Sequence, residues 1–351
     1  MKLTIAGREI SHQYPPYMIA ELSANHNGNL DAALRLIAIA KESGADAVKI
    51  QTYRPDTITL DSNRPDFLIS GGLWDGRRLY DLYEEAHTPW EWHKTLFDAA
   101  RAQGITMFSS PFDPTAVDLL EDLGAPAYKI ASFEAVDLPL IRYVARTGKP
   151  MIISTGMADA EEIAEAIDAA REGGCRELAI LHCVSGYPAP ATDYNLRTIP
   201  DMIERFGVIT GLSDHTLDNT TAIASVALGA RIIEKHFTLD RNGGGPDDSF
   251  SLEPEELAAL CLGARVAWDA LGAIDYGRKS SEVGNVIFRR SLYVTQDIAK
   301  GQKISVENIR SVRPGYGLAP KHYEAVLGRI AARDLVFGEP LLWSCLEQEE
   351  P

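Results

Sequence analysis

Two stretches of this chain change abruptly from apolar to polar, Gly211-Leu212-Ser213-Asp214-His215 and Arg231-Ile232-Ile233-Glu234-Lys235-His236-Phe237. Each closes a short apolar run, the pattern of a buried parallel strand where it emerges at its carboxyl end. Between them, Asp218 to Gly229 offers an N-cap residue, an apolar face at helical spacing and a glycine stop. Strand, helix and strand make one βαβ step. His215 and His236 are therefore expected on neighbouring parallel strands at the same end of a sheet.

The same alternation runs through the preceding chain. Lys2 to Ile10 reads as a hairpin across the bottom of the domain, and Tyr17 to Leu22 as the first buried strand, ending in Glu21. Leu30 to Gly44 is helix-periodic, and Ala47 to Thr52 is a strand carrying Lys49. After a long insertion come a helix over Pro89 to Gln103 and a strand over Ile105 to Ser110. Helices over Thr115 to Leu123, Leu138 to Arg146 and Ala160 to Glu172 then alternate with strands over Ala127 to Ser132, Pro150 to Thr155 and Leu178 to Cys183. A helix ending near Phe206 leads into the two strands described first, and Pro254 to Leu271 is the last helix. Eight strands each followed by a helix close most simply into a (β/α)₈ TIM barrel over 1–272. The rival, an open doubly wound sheet, announces itself with a glycine-rich first turn, and here Glu21 is followed by Asn-His-Asn-Gly28 instead of GxGxxG.

Periodicity lapses over 273–288, which reads as a linker. Beyond it Arg289 to Thr295 alternates like a strand, and Lys300-Gly301, Pro314-Gly315 and Phe337-Gly338 are turn signals. Residues 289–351 are expected to form a small β-rich domain outside the barrel.

Composition narrows the function classes. A net charge of −16 lacks the basic face that nucleic acid requires. No apolar run approaches bilayer-spanning length and the first residues do not read as a secretion signal, so no membrane partner and a cytoplasmic location are expected. The four cysteines, Cys175, Cys183, Cys261 and Cys345, have no CxxC pairing and read as reduced thiols.

Side chains at the carboxyl ends of barrel strands converge on one cavity. The set collected there is Glu21, Lys49, Ser110, Lys129, Ser132, Ser154, Ser185, Ser213, His215, Glu234, Lys235 and His236. Any one lysine at a strand end is more often a solvated cap, and Lys235 is able to point outward. Together, lysines and hydroxyls are what a phosphate and a carboxylate need, charge neutralised by ammonium and lone pairs met by hydroxyls. In an acidic protein that is a focused anion site. Two imidazoles in register can share a divalent metal, with Asp214 and Glu234 beside them as ligands or supporting partners. The insertion from Arg54 to Trp92, rich in aromatics, reads either as a lid or as a minor core of its own.

Several of these segments resemble one family. Ala20-Glu-Leu-Ser-Ala-Asn-His-Asn-Gly28, Lys49-Ile-Gln51, Ser109-Ser-Pro-Phe112, Tyr128-Lys-Ile-Ala-Ser132, Ser154-Thr-Gly156, Gly211 to Thr216, Glu234 to Phe237 and Gly245-Pro-Asp247 are similar, in order and spacing, to the sialic acid synthase family. Arg313-Pro-Gly-Tyr-Gly317 resembles that family's C-terminal antifreeze-like (SAF) domain. Leu73 to Arg77 and Tyr80 to Trp92 look like the family's pseudaminic acid branch. Ser185 departs from the asparagine that sialic acid synthases proper carry there, which points away from N-acetylmannosamine as acceptor.

The resemblance implies a reaction: phosphoenolpyruvate, an open-chain acylamino sugar and water give a nine-carbon 2-keto acid and phosphate. For this branch it implies 2,4-diacetamido-2,4,6-trideoxy-L-altrose as the sugar, with N-acetylneuraminate and legionaminate synthases as the nearest alternatives. It assigns Glu21, Lys49, Lys129 and Glu234 to catalysis. Lys49, Ser110, Lys129, Ser132, Ser154, Ser185 and Ser213 would hold phosphoenolpyruvate, and Tyr187, Glu234, Asp247 and Arg313 the sugar. It implies Mn²⁺, with Mg²⁺ or Co²⁺ as substitutes, on His215 and His236, and a domain-swapped homodimer in which Arg313 completes the partner's site. Rivals of other kinds are the condensing enzymes of shikimate or lipopolysaccharide precursors, which lack a SAF domain, a metal-dependent sugar isomerase or aldolase, and a non-catalytic carbohydrate-binding protein.

Overall fold

A computed structural model describes residues 2–348. Its chain divides into two compact units, 1–272 and 273–351. In the first, strands β1 (Leu3–Ile5) and β2 (Arg8–Ile10) form an antiparallel hairpin. Eight parallel strands then close a barrel: β3 (Tyr17–Glu21), β4 (Ala47–Thr52), β5 (Thr106–Pro111), β6 (Tyr128–Ile130), β7 (Met151–Ser154), β8 (Leu178–Cys183), β9 (Ile209–Asp214) and β10 (Ile232–His236), with β10 returning to pair with β3. The barrel expected from the apolar-to-polar runs is the one observed.

Local chemistry starts the outer helices. Asn29 accepts from the amides of Asp31 and Ala32 at the head of Leu30–Glu42, and Asp159 with Glu162 forms a capping box for Ala160–Glu172. The expected helix from Asp218 starts two residues later, as Thr220–Ala227, because the Asp218 carboxylate turns forward to the Thr220 amide at 2.6 Å. Where no periodicity was expected, a 3₁₀ segment spans Ser280–Phe288.

Alternation along the strands divides the core. One set of side chains packs outward against the helices, among them Met18, Val48, Ile153 and Ile233. The other set fills the barrel interior: Tyr17, Ile19, Ala47, Phe108, Ala127, Ile152, Ala179, Leu181, Ile209 and Ile232, closed below by Leu3, Ile5 and Ile10 of the hairpin. At two-residue steps above these lie Glu21, Lys49, Ser110, Lys129, Ser154, Cys183, Ser213 and Glu234, so the inward rows change from apolar to mostly charged or hydroxyl-bearing side chains within one or two such steps.

In the second unit, β11 (Ser291–Val294) pairs antiparallel with β12 (Ile309–Val312). Its own core gathers Leu292, Val294, Ile304, Val326, Leu335 and Leu341. The expected turns at Gly301 and Gly338 are made with φ of 82° and 83°, values that favour glycine.

Candidate active site

Register brings the charged rows together. His236 pairs with Glu21 across β10 and β3, and Glu21 with Lys49 across β3 and β4. Lys49 Nζ lies 2.5 Å from Glu21 Oε2 and 3.7 Å from Glu234 Oε1, while Lys129 Nζ lies 3.4 Å from Glu234 Oε1. Lys49 also donates to Ser110 Oγ at 3.2 Å, and Ser213 Oγ reaches Glu234 Oε1 at 3.5 Å. Every member is buried.

Burial lowers both ammonium groups' affinity for protons, but the outcomes differ. For Lys49 the carboxylates of Glu21 and Glu234 outweigh burial and raise the pKa, whereas Lys129, less well paired and repelled by Lys49, is lowered. Burial pushes the Glu21 carboxyl up against the pull of Lys49. At Glu234 burial is overcome by Lys129 and Lys49, so its pKa falls.

Polar atoms without partners mark where a ligand belongs. Ser154 Oγ and Glu234 Oε2 are buried and make no hydrogen bond. Ser185 donates to Ser132 Oγ at 2.9 Å, a pair that exists only because residue 156 is glycine. A Cβ there would meet Ser132 Cβ at 2.5 Å and Ser185 Oγ at 2.8 Å.

The histidine rings stand 5.4 Å apart between centroids. Nδ1 of His215 lies 2.8 Å from the Val184 carbonyl; since a carbonyl only accepts, Nδ1 carries the proton and Nε2 keeps its lone pair. Burial lowers His215 to about 4 and His236 well below its ordinary value, so both rings are neutral near pH 7. Nδ1 of His236 is buried without a hydrogen bond, 4.0 Å from Asp247 Oδ2. Two neutral imidazoles, one with an orphaned ring nitrogen, are a donor set that fits a divalent cation.

The loops above the strands are fastened to each other. Ser23, strained at φ 42°, donates to Asp247 Oδ2 at 2.5 Å and accepts from Gln51 at 2.9 Å. Asn25 donates to the Phe237 carbonyl at 2.9 Å and Asn27 to Asp248 Oδ2 at 2.9 Å. Tyr187 lies 4.3 Å from His215, and Trp74 from the insertion packs 5.7 Å from Tyr187 while donating to the Pro246 carbonyl at 3.1 Å. Of the two readings of the insertion, the structure shows a cover over the mouth and, among the described residues, no separate apolar core. Trp74 covers the mouth, and Trp90 and Trp92 pack on Arg54 and His26. Together these parts enclose a cavity of about 350 Å³, whose lining residues all belong to the barrel unit.

Lys235 departs from the collected set. One residue out of phase with Glu234 and His236, it points away from the cavity and donates to Asp214 Oδ2 at 2.8 Å and to the Thr216 and Asp218 carbonyls at 2.6 and 2.8 Å. Asp214, next to His215 in the chain, has its carboxylate held by Lys235 and Thr216 and serves as a bracing group. Arg313 is an exposed residue of the second unit.

Among the polar lining residues, Ser23, Gln51, Glu134 and Cys183 were given no role from the sequence. The signal for Gln51 was its place two positions after Lys49 on one strand, and Cys183 likewise closes the inward row of β8. Glu134 sits on a 3₁₀ turn, Ser132–Glu134, where no periodicity points to it.

A model of the NeuB family matches residues 36–276, and one of the SAF domain matches residues 289–347. A pseudaminic acid synthase of Campylobacter jejuni is 47% identical over 325 residues, 93% of this chain and 95% of that protein. One of Helicobacter pylori is 44% identical, over 93% of this chain and 96% of that one. Among solved structures, an N-acetylneuraminic acid (sialic acid) synthetase of Leptospira borgpetersenii superposes with a TM-score of 0.73 at 30% identity, over 82% of this chain and 95% of the other.

Proposed function

The chain belongs to the NeuB family, and on that premise we propose that it makes pseudaminic acid from phosphoenolpyruvate, 2,4-diacetamido-2,4,6-trideoxy-L-altrose and water, releasing phosphate. The observation that carries the reading is the buried group of Glu21, Lys49, Lys129 and Glu234, with ammonium groups shared among carboxylates and the Ser154 hydroxyl left without a partner.

An anionic substrate competes with Glu21 and Glu234 for the two lysines. Lys49 and Lys129 would turn to the phosphate and carboxylate of phosphoenolpyruvate, with Ser110, Ser132, Ser154, Ser185 and Ser213 donating to its remaining oxygens. Released from Lys49, Glu21 would face C2, where positive charge develops as C3 bonds to the sugar's aldehyde carbon. There it would stabilise that charge and orient the water whose oxygen becomes bonded to C2 before the C2–O bond to phosphate breaks. Glu234, Tyr187 and Asp247 would orient the sugar. A divalent cation on His215 and His236, Mn²⁺ for preference with Mg²⁺ or Co²⁺ able to substitute, would polarise the aldehyde carbonyl. The four free thiols support a cytoplasmic enzyme.

The reading extends to a domain-swapped homodimer in which the exposed Arg313 of one chain contacts the sugar bound by the other. An Arg313→Ala chain mixed with a Glu21→Gln chain would then regain activity that neither has alone; no recovery in an authenticated mixed dimer would exclude the shared site. The reaction is tested by phosphate release from phosphoenolpyruvate after chelation and Mn²⁺ restoration. Offered in parallel are the altrose sugar, its mannose-configured counterpart and N-acetylmannosamine. Release with the altrose sugar alone is expected, and release with another sugar instead would move the protein to the legionaminic or sialic branch.

A further inference from the structure

The cavity has two unlike halves. One is the charged floor at the strand ends. The other comes from the insertion after β4, which contributes Ile58, Ile69, Leu79, Leu82, Tyr83 and Ala86 to the lining. None of these side chains is charged, and all but Leu82 are only half-buried, so apolar surface faces the cavity instead of a core. Tyr53 backs the wall, with its ring 5.7 Å from Tyr83 and 5.1 Å from Phe112. One carboxyl, Glu134, is set into it, its Oε2 buried without a hydrogen bond. Burial pushes that carboxyl up to about 7, so near neutrality it is able either to accept a hydrogen bond or to donate one.

The floor fixes which end of an acceptor meets the wall. A sugar's aldehyde has to reach C3 of phosphoenolpyruvate beside His215 and His236, which directs its other end to the insertion. A hydroxyl placed against an apolar wall loses its water without a replacement partner, whereas a methyl gains by leaving water. Resting on the function proposed above, we propose that Ile69, Leu79, Leu82 and Tyr83 select the acceptor's far end. They admit the methyl carbon of a 6-deoxy sugar and the methyl of its N-acetyl group and disfavour a hydroxymethyl, while Glu134 accepts from the acetamido N–H. Specificity for a deoxygenated, doubly N-acylated sugar is thereby built by the insertion, and the chemistry by the strand ends.

The test compares phosphate release from phosphoenolpyruvate and Mn²⁺ with 2,4-diacetamido-2,4,6-trideoxy-L-altrose and with the same sugar bearing a 6-hydroxyl. The proteins are the intact chain and its Leu79→Gln and Ile69→Asn variants, both at half-buried positions. The unaltered protein is expected to favour the 6-deoxy sugar by about 10- to 100-fold in kcat/KM, the range an apolar pocket can supply. Both variants should narrow that ratio about tenfold with KM for phosphoenolpyruvate unchanged. Equal use of both sugars by the unaltered protein, or a ratio unmoved in both variants, overturns the selecting wall and leaves the reaction standing. No release with any acylamino sugar overturns the reaction and the wall together.

Discussion

Two lysine networks lie one residue apart on β10, and they are opposites. Lys235 is buried with its ammonium saturated: Asp214 Oδ2, the carbonyls of Thr216 and Asp218, and Thr216 Oγ1 at 3.3 Å. Across the strand, Glu234 lies 3.4 and 3.7 Å from the ammonium groups of Lys129 and Lys49, and its Oε2 has no hydrogen bond. A saturated buried charge ties chain segments together, here the loop after β9 to β10, and has nothing left to offer a ligand. An unsaturated one is costly in the empty protein and is relieved by the right substrate. Saturation, more than burial or charge, separates the bracing Lys235 from Lys129 of the candidate site, whose nearest carboxylate oxygen lies 3.4 Å away.

The largest expected effect lies inside the barrel. Glu21→Gln should lower kcat by about 10³-fold or more while phosphoenolpyruvate still binds; steady-state kinetics with wild-type turnover would remove Glu21 from the chemistry. Next comes a pair of charge-conserving double variants followed by urea unfolding. Lys235→Met with Asp214→Asn strands the Thr216 and Asp218 carbonyls without their donor and should cost about 2–5 kcal/mol. Lys129→Met with Glu234→Gln should leave stability equal or raised, yet abolish turnover. Equal losses in the two would erase the distinction between the networks.

His26 offers a third case, a buried group that stays neutral. Burial first, then His87 and His93, lower it from 6.5 to about 4. The unfolded chain therefore takes up a proton below pH 6.5 that the folded one refuses. Stability should be full above that pH and fall as it drops toward 4, by up to about 3 kcal/mol. Unfolding curves at pH 7.5 and 5 should show this slope, to which the likewise lowered His215 and His236 add, and His26→Gln should make it shallower by its own share; an unchanged slope would take His26 out of it. The smallest effect is expected from Gly156→Ala, whose Cβ crowds Ser132 and Ser185 and whose φ of +51° strains it. KM for phosphoenolpyruvate should rise about tenfold, and an unmoved KM would detach those hydroxyls from the substrate.

Most of the barrel was legible because buried parallel strands write themselves as apolar runs ending in polar residues, and β3, β4, β9 and β10 do so plainly. The carboxylates, lysines and histidines gathered in the cavity followed, since each is the polar terminus of such a run. Lys235 was collected with its neighbours with an outward orientation left open, and strand parity, which sets it opposite Glu234 and His236, decides for that orientation. Glu134 and the apolar wall were not legible, for a 3₁₀ turn and a long insertion impose no period that says which side chains face a cavity. The start of Thr220–Ala227 was displaced for a similar reason, because which amide the Asp218 carboxylate caps is a matter of local geometry.

The contrast between the networks is tested most directly by thermal unfolding with phosphoenolpyruvate alone, in chelator, without sugar or metal. If the floor of the barrel is an unsatisfied anion site, the substrate at about 100 times its Kd should stabilise the wild type by about 2.7 kcal/mol, a rise of several degrees. The Lys129→Met, Glu234→Gln protein should show no rise. An unchanged melting temperature in the wild type, or an equal rise in both proteins, would contradict the assignment of the lysine and carboxylate cluster to phosphoenolpyruvate.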